Sequence, residues 1–152
     1  MATVRFYLVR HGDALSAHVD AQRPLSARGR EAVTELAGLA VAREVQVSEI
    51  LHSGILRAQQ TATILAVHLK PPGGVRQSAG LLPEDDPAIG KAEHEAADRS
   101  IMLVGHLPYM SRLAALLVKG AAAASTSEFT PATMLCCSRV GGVWQIDWRM
   151  AP

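Results

Sequence analysis

Two apolar runs, each ending in a glycine and a histidine, place the strongest constraint on how this chain folds. The first reads "FYLVRHGDAL" from residue 6, and the second reads "IMLVGH" from residue 101. Short apolar runs with β-branched or aromatic members, bounded by glycine, are typical of buried strands. A helical pattern follows each run. This alternation predicts an α/β domain with a mainly parallel sheet that is covered on both faces.

The chain between and after these runs repeats the same alternation. Ser26 can cap a first helix, because apolar residues then recur at helical spacing. A second strand is expected in "SEILHS", a second helix in "RAQQTATILAVHL" and a third strand near "VRQSAGL". A polar, acidic stretch with a loop and a short helix comes next, and Pro108 suits the first turn of a further helix. "TMLCCSRV", a Gly-Gly turn and "VWQIDWRM" predict a terminal hairpin.

Composition limits the classes of protein to which the chain can belong. With 152 residues, 49% of them hydrophobic, it fits a single domain over residues 1–152. The formal net charge is +1, so neither a nucleic-acid surface nor a polybasic membrane patch is indicated. No apolar run approaches the ~20 residues of a membrane span. Cys136 and Cys137, adjacent in an apolar run, are expected to be reduced core residues, which suits a cytoplasmic protein.

Four cationic or titratable side chains are expected at one edge of the predicted sheet. Arg10 and His11 end the first strand, Arg57 opens the second helix, and His106 ends the strand that begins at residue 101. Ligands of open parallel sheets gather beyond the carboxyl ends of the strands. Without a counter-ion the four groups would repel one another, and burying them unpaired is costly. A phosphoryl group resolves this conflict, because its oxygens match the fork of an arginine.

A histidine in such a pocket can also react with the phosphoryl group. Neutral imidazole is a nucleophile at ordinary pH, so His11 is expected to attack and water to release phosphate later. A strand-end histidine taken alone is more often a structural residue, and Arg-His-Gly alone is a weak signal. A zinc site is not indicated, because no His or Cys pair has ligand spacing and the arginines would repel a cation. We therefore expect no metal and no cofactor.

The order of the motifs resembles a known enzyme family. "LVRHGDA", "RPLSARG", "LHSGILRAQQT" and "LVGHLP" follow one another as in the histidine phosphatase superfamily, at similar spacing. The short length, the aspartate after Arg-His-Gly, and the second and fourth motifs look most like its bacterial SixA-type phosphohistidine phosphatases. The resemblance implies a phosphoglycerate mutase-like fold. That fold is a three-layer α/β/α sandwich around a six-stranded mixed sheet with one antiparallel strand. Ser26 and Gly29 match the family element that opens the first helix, for which a structural role is expected.

The resemblance also assigns roles to individual residues. His11 would be the phosphoryl-accepting nucleophile, and Arg10, Arg57 and His106 would hold the phosphoryl oxygens. Gly12 would permit close approach of the backbone because it has no Cβ. The motif that contains His106 places Leu107 among the substrate-binding residues.

A general acid is less clearly marked in the sequence. Other branches of the superfamily usually carry this carboxylic acid on an insertion longer than any in this chain. Glu84, with Asp85 and Asp86 behind it, is the best-placed candidate, although an acidic, solvated loop is the preferred interpretation. A phosphoramidate loses its leaving group more easily than an alkyl phosphate, so SixA-like chemistry tolerates a weak or absent acid.

The predicted function is hydrolysis of phosphohistidine on a signalling or phosphotransfer protein, through a phosphohistidine enzyme intermediate. A phosphorylated histidine-containing protein is the expected partner, with small phosphate esters as further substrates and with neither nucleic acid nor membrane. Two alternatives stay open. One is a small-molecule phosphomonoesterase of the same superfamily, and the other is a phosphate-dependent binding module without turnover.

Overall fold

A computed structural model describes residues 4–118 and 129–152 of the chain. In chain order its strands are β1 (Arg5–Arg10), β2 (Glu49–His52), β3 (Val75–Gln77), β4 (Ile101–Gly105), β5 (Met134–Val140) and β6 (Val143–Met150). Its helices are α1 (Ala27–Ala42), α2 (Leu56–Leu69), α3 (Pro87–Ala96) and α4 (Tyr109–Leu117). The strands and helices expected from the sequence are thereby confirmed. None of these helices is long and apolar enough to cross a membrane.

The six strands form one mixed sheet in the order β3-β2-β4-β1-β5-β6. β1, β2, β3 and β4 pair in parallel, whereas β5 is antiparallel to both of its neighbours, β1 and β6. A single antiparallel strand among six is the arrangement that the family resemblance implied. The tight Gly141-Gly142 turn, with both glycines at positive φ, joins β5 to β6 in the expected hairpin.

Side chains that alternate along the strands divide the core into two halves. Tyr7 and Val9 of β1 face a cluster with the buried sides of α1 and α2, and Phe6 and Leu8 face a cluster with α4. Helices therefore cover both faces of the sheet, and the three-layer sandwich is confirmed. Cys136 and Cys137 are buried free thiols on opposite faces, as the strand period requires.

The central position of β4 brings the predicted site residues to one edge. β4 lies between β1 and β2, and Arg10 at the end of β1 is paired with Gly105 at the end of β4. The backbone N–H of His11 donates to the carbonyl oxygen of Gly105 at 3.0 Å. His11 and His106 therefore leave the sheet side by side, and α2 starts close to the end of β2, the next strand.

The segment after Arg-His-Gly is fixed against the start of α1. The hydroxyl of Ser26 accepts from the N–H of Gly29 at 2.9 Å and donates to the carboxylate of Asp13 at 2.7 Å. A Cβ on Gly29 would collide with the carbonyl group of Asp13, and one on Gly12 would lie 2.7 Å from Cγ2 of Val33. The expected structural role of Ser26 and Gly29 is confirmed, because they anchor the loop that follows His11.

Candidate active site

His11 is oriented by its own backbone. Its Nδ1 lies 2.7 Å from the carbonyl oxygen of Gly12, so Nδ1 carries the ring proton and donates it. In the neutral ring Nε2 then holds a free lone pair. Burial lowers the pKa of His11 to about 4, and the positive charges of Arg57 and Arg10 act in the same direction. The imidazole is therefore neutral near pH 7, which is the nucleophilic form.

His106 lies beside His11 and is almost fully buried. The centroids of the two imidazole rings are 5.0 Å apart, and the ring planes are inclined by 55°. Burial lowers the pKa of His106 to about 3, and repulsion from a protonated His11 and from the positive charges of Arg57 and Arg10 acts in the same direction. Nε2 of His106 lies 2.7 Å from the hydroxyl oxygen of Ser53, the residue that follows β2. Two neutral imidazoles thus meet at the edge of the sheet.

Arg10 and Arg57 contribute the positive charge. Nη1 of Arg10 donates to the carbonyl oxygen of Phe129 at 3.0 Å, which fixes the guanidinium beside the segment leading into β5. Arg57 lies in the first turn of α2, where the N-terminal end of the helix dipole also favours an anion. Burial lowers the pKa of both arginines. Neither forms an ion pair with any carboxylate whose side chain the structure describes.

Three buried nitrogens of these residues have no hydrogen-bond partner in the described part of the chain. They are Nε of Arg10, Nε of Arg57 and Nδ1 of His106. Buried polar atoms are nearly always paired in folded proteins, and unpaired ones are costly. Three such atoms on three residues that converge at one edge indicate a site for an oxygen-rich anion. The structure therefore brings Arg10, His11, Arg57 and His106 together as the sequence predicted.

The sequence patterns did not single out three further residues of the site, which are Arg23, Ser53 and Thr61. Arg23 lies close enough for its charge to lower the pKa values of His11 and Arg57, and its Nε donates to the carbonyl oxygen of Leu15 at 3.0 Å. Arg23 is half-buried and adopts a left-handed backbone conformation, with φ of 48°. The second residue is Ser53, described above.

Thr61 is the third. Its hydroxyl accepts from the N–H of Gly12 at 3.1 Å and donates to the carbonyl oxygen of Arg57 at 2.8 Å, which ties the Arg-His-Gly turn to α2. Its spacing of four residues from Arg57, on the same side of the helix, was the available signal.

Glu84 and the neighbouring acids lie in a solvated loop. The side chain of Glu84 is 79% exposed, and its carboxylate is 3.7 Å from Nη1 of Arg112 on α4. Asp85 accepts from the N–H of Leu82 at 2.8 Å, and Asp86 accepts from the N–H of Ala88 at 2.9 Å. These contacts agree with the interpretation of the segment as an acidic loop.

Leu107 follows His106 directly and is only partly buried. Its side chain packs against the core cluster on the α4 side of the sheet. Its expected role in substrate binding stays a prediction.

The described residues contain no group of three or more His, Cys, Asp or Glu side chains placed to hold a metal ion. Metal-independent chemistry stays a prediction of the sequence.

Comparison with known families agrees with this geometry. The family model for the histidine phosphatase superfamily (branch 1) matches residues 6–81, which include Arg10, His11 and Arg57. The chain belongs to this superfamily. Because these residues stand at the same edge as His106, the family motifs and the observed site coincide.

Individual histidine phosphatases extend the likeness over nearly the whole chain. The phosphohistidine phosphatase SixA of Escherichia coli K12 is 27% identical over 98% of this chain and 94% of its own length. The solved structure of the protein histidine phosphatase SixA with tungstate superimposes with a TM-score of 0.84 at 27% identity, covering 98% of this chain and 97% of that one. A putative SixA structure from Agrobacterium tumefaciens gives 0.85 at 23% identity and full coverage of both chains, which shows a shared fold. Together these likenesses support phosphatase chemistry.

Proposed function

We propose that this histidine phosphatase hydrolyses the N–P bond of phosphohistidine on a signalling or phosphotransfer protein. The observation that carries the proposal is that three residues, each with a buried nitrogen that has no partner in the described chain, lie close to the neutral imidazole of His11; they are Arg10, Arg57 and His106. The oxygens of a phosphoryl group can accept hydrogen bonds from such donors. The lone pair on Nε2 of His11 can attack the phosphorus atom. The likeness to the SixA phosphatase supports phosphohistidine as the substrate class.

In the first step Nε2 of His11 attacks phosphorus while the N–P bond of the substrate breaks. Arg10, Arg57 and His106 hold the phosphoryl oxygens and neutralise the charge that is spread over them. The electron pair of the broken bond stays with the departing imidazole of the substrate, which takes a proton from water. The hydrogen bond from Nδ1 of His11 to Gly12 keeps the attacking ring in place and stabilises the charge that develops on it.

In the second step water attacks the phosphoryl group on His11. The bond from phosphorus to Nε2 breaks, inorganic phosphate leaves, and His11 returns to its neutral form. The same three residues hold the oxygens again, so one set of donors serves both steps.

Two observations favour a protein substrate over a small ester. Between Gly80 and Ser100 the chain contributes one helix, α3, of 10 residues, so little structure is available to cover a small ligand. Glu84, the best-placed carboxyl group, is exposed and close to Arg112, which leaves an alkoxide leaving group without a firm proton donor. A phosphohistidine on a protein surface needs neither feature.

A turnover screen tests the proposal against its alternatives. A phosphohistidine-containing phosphotransfer protein, phosphoserine and phosphothreonine peptides, and a panel of sugar and nucleotide phosphates would be compared by kcat/KM. We expect the phosphohistidine protein to be preferred by a wide margin. Faster hydrolysis of a small phosphate ester would favour the phosphomonoesterase. Binding of phosphate without turnover of any substrate would favour the binding module.

A further inference from the structure

The hydroxyl group of Ser53 forms a buried hydrogen bond with His106, and the steps of the proposed reaction give Ser53 no role. Ser53 follows β2 and is 5% exposed, and His106 is 2% exposed. The distance from Oγ of Ser53 to Nε2 of His106 is 2.7 Å, which is short for a hydrogen bond. The two residues are 53 positions apart in the chain and meet because β2 and β4 are neighbours in the sheet.

The hydrogen atoms around Ser53 can be assigned by counting donors and acceptors. A serine hydroxyl has one proton and two lone pairs. The backbone N–H of Ile55 donates to Oγ at 3.2 Å, which uses one lone pair. Within the described ranges, the acceptor within reach of the hydroxyl proton is Nε2 of His106. The hydroxyl therefore donates to Nε2, and the single proton of the neutral imidazole resides on Nδ1.

The opposite assignment would leave two groups unsatisfied. If Nε2 of His106 donated to Ser53, the buried hydroxyl proton would have no acceptor in the described residues, and an unpaired buried polar group destabilises a folded protein. Nδ1 of His106, which is buried and has no partner in the described chain, would then present a lone pair rather than a proton. A lone pair repels an anionic oxygen, whereas an N–H group binds it.

We propose that Ser53 is a positioning residue that fixes His106 in the tautomer with the proton on Nδ1, so that His106 meets the phosphoryl group as a hydrogen-bond donor. This inference rests on the proposed function, because the phosphoryl oxygen is the acceptor that it supplies. Arg10 and Arg57 donate under all conditions, but a neutral histidine donates from one nitrogen only. A single hydroxyl group thus decides which edge of the His106 ring carries the proton.

Nitrogen-15 NMR of the resting enzyme tests the tautomer without any substrate. The imidazole signals of His106 are assigned by their loss in His106→Gln, and the two ring nitrogens are distinguished by their couplings to the ring protons. We expect the proton on Nδ1 in the parent protein and a mixture of tautomers in Ser53→Ala. Addition of inorganic phosphate should shift the Nδ1 proton in the parent. A proton on Nε2 in the parent, or an unchanged tautomer in Ser53→Ala, would overturn the proposal.

Kinetics then measure what the tautomer contributes. Hydrogen-bond partners that orient metal-bound histidines contribute about 10- to 100-fold to affinity or activity, and we expect a loss of kcat in this range for Ser53→Ala. Ser53→Thr keeps the hydroxyl group and should restore most of the lost rate. Ser138→Ala, which removes a buried serine of β5, is the matched control and should retain the parent rate. An unchanged kcat in Ser53→Ala would contradict the proposal.

The NMR and kinetic measurements together distinguish failure of this inference from failure of the proposed function. If small phosphate esters proved to be the preferred substrates, the proposed function would fail, while an Nδ1 proton that responds to inorganic phosphate would still support the role of Ser53. If phosphohistidine were hydrolysed but Ser53→Ala left both the tautomer and kcat unchanged, the role of Ser53 would fail alone.

Discussion

Nδ1 of His11 lies 2.7 Å from the carbonyl oxygen of Gly12, the next residue in the chain. This contact leaves Nε2 as the nucleophilic atom, so His11→Ala should abolish turnover. The thermal unfolding midpoint should change little, because the residue stands at the end of a strand. Rapid mixing with a labelled phosphohistidine protein, followed by a quench without acid, should trap the label on Nε2 of His11. Absence of label throughout the time course would indicate direct attack by water.

Removal of one arginine should slow the reaction strongly. Arg57 has a buried nitrogen without a partner in the described ranges, and it stands in the first turn of α2. By comparison with single preorganised donors in other enzymes, we expect Arg57→Ala to lower kcat by about 10²- to 10³-fold. Arg28→Ala, which changes an exposed arginine of α1, is the control and should retain the parent rate. A comparable loss in both variants would indicate a general effect of charge.

The free energy of unfolding should decrease as the pH is lowered from the ordinary pKa of histidine toward the lowered pKa values of His11 and His106. Burial holds the pKa of His11 at about 4 and that of His106 at about 3 in the folded protein. The unfolded chain binds protons at these positions from about pH 6.5 downward, so acid favours unfolding.

The free energy of unfolding, measured by urea titration, should therefore decrease from about pH 6.5 toward pH 4. The double variant with His11→Gln and His106→Gln should show a smaller decrease over the same window. An identical slope in parent and variant would argue that other groups dominate the acid response.

Two glycines of α1 should respond to alanine in opposite directions. A Cβ on Gly29 would collide with the carbonyl group of Asp13, whereas a Cβ on Gly38 would meet nothing within 4 Å. We expect Gly29→Ala to destabilise the protein by about 1 to 3 kcal/mol. Gly38→Ala should stabilise it by about 1 kcal/mol, because alanine is the better helix former. Chemical denaturation of both variants measures the difference, and equal effects would contradict the predicted collision.

Removal of the carboxyl group of Glu84 should have little effect on a phosphohistidine substrate. The side chain is exposed and interacts with Arg112, and the departing imidazole needs no strong acid. We expect kcat/KM of Glu84→Gln on a phosphohistidine protein to stay close to the parent value. Arg112→Ala, which removes the partner of Glu84, serves as the control for the ion pair. Abolished turnover in Glu84→Gln would make Glu84 the general acid and overturn the acid-independent mechanism.

The sequence predicts the reacting residues well because strand ends determine their positions. Arg10 ends an apolar strand, His11 and His106 each follow one, and parallel strands bring their carboxyl ends to a common edge. The order of strands in the sheet was beyond the sequence pattern, since the placement of β4 between β1 and β2 depends on packing between distant segments.

The groups that orient the site were harder to predict for the same reason. The hydroxyl of Ser53 reaches His106 across 53 positions, and Arg10 reaches the carbonyl oxygen of Phe129 across 119. Hydroxyl and carbonyl groups occur throughout any chain, so their partners are defined only once the strands have been ordered. Arg23 is the first residue of "RPLSARG", but its position near His11 and Arg57 depends on the loop after Arg-His-Gly.

The adjacent cysteines of β5 can be used as chemical probes of how each face of the sheet opens. Cys136 faces the layer formed by α1 and α2, and Cys137 faces the layer formed by α4. Burial raises the pKa of Cys136 to about 11 and that of Cys137 to about 12, so neither thiol reacts until its own side of the sheet opens. Alkylation rates at two adjacent positions therefore compare the opening of the two layers within one molecule. Their ratio shows which layer separates from the sheet first: the α1 and α2 layer, which carries Arg57, or the α4 layer, which follows His106.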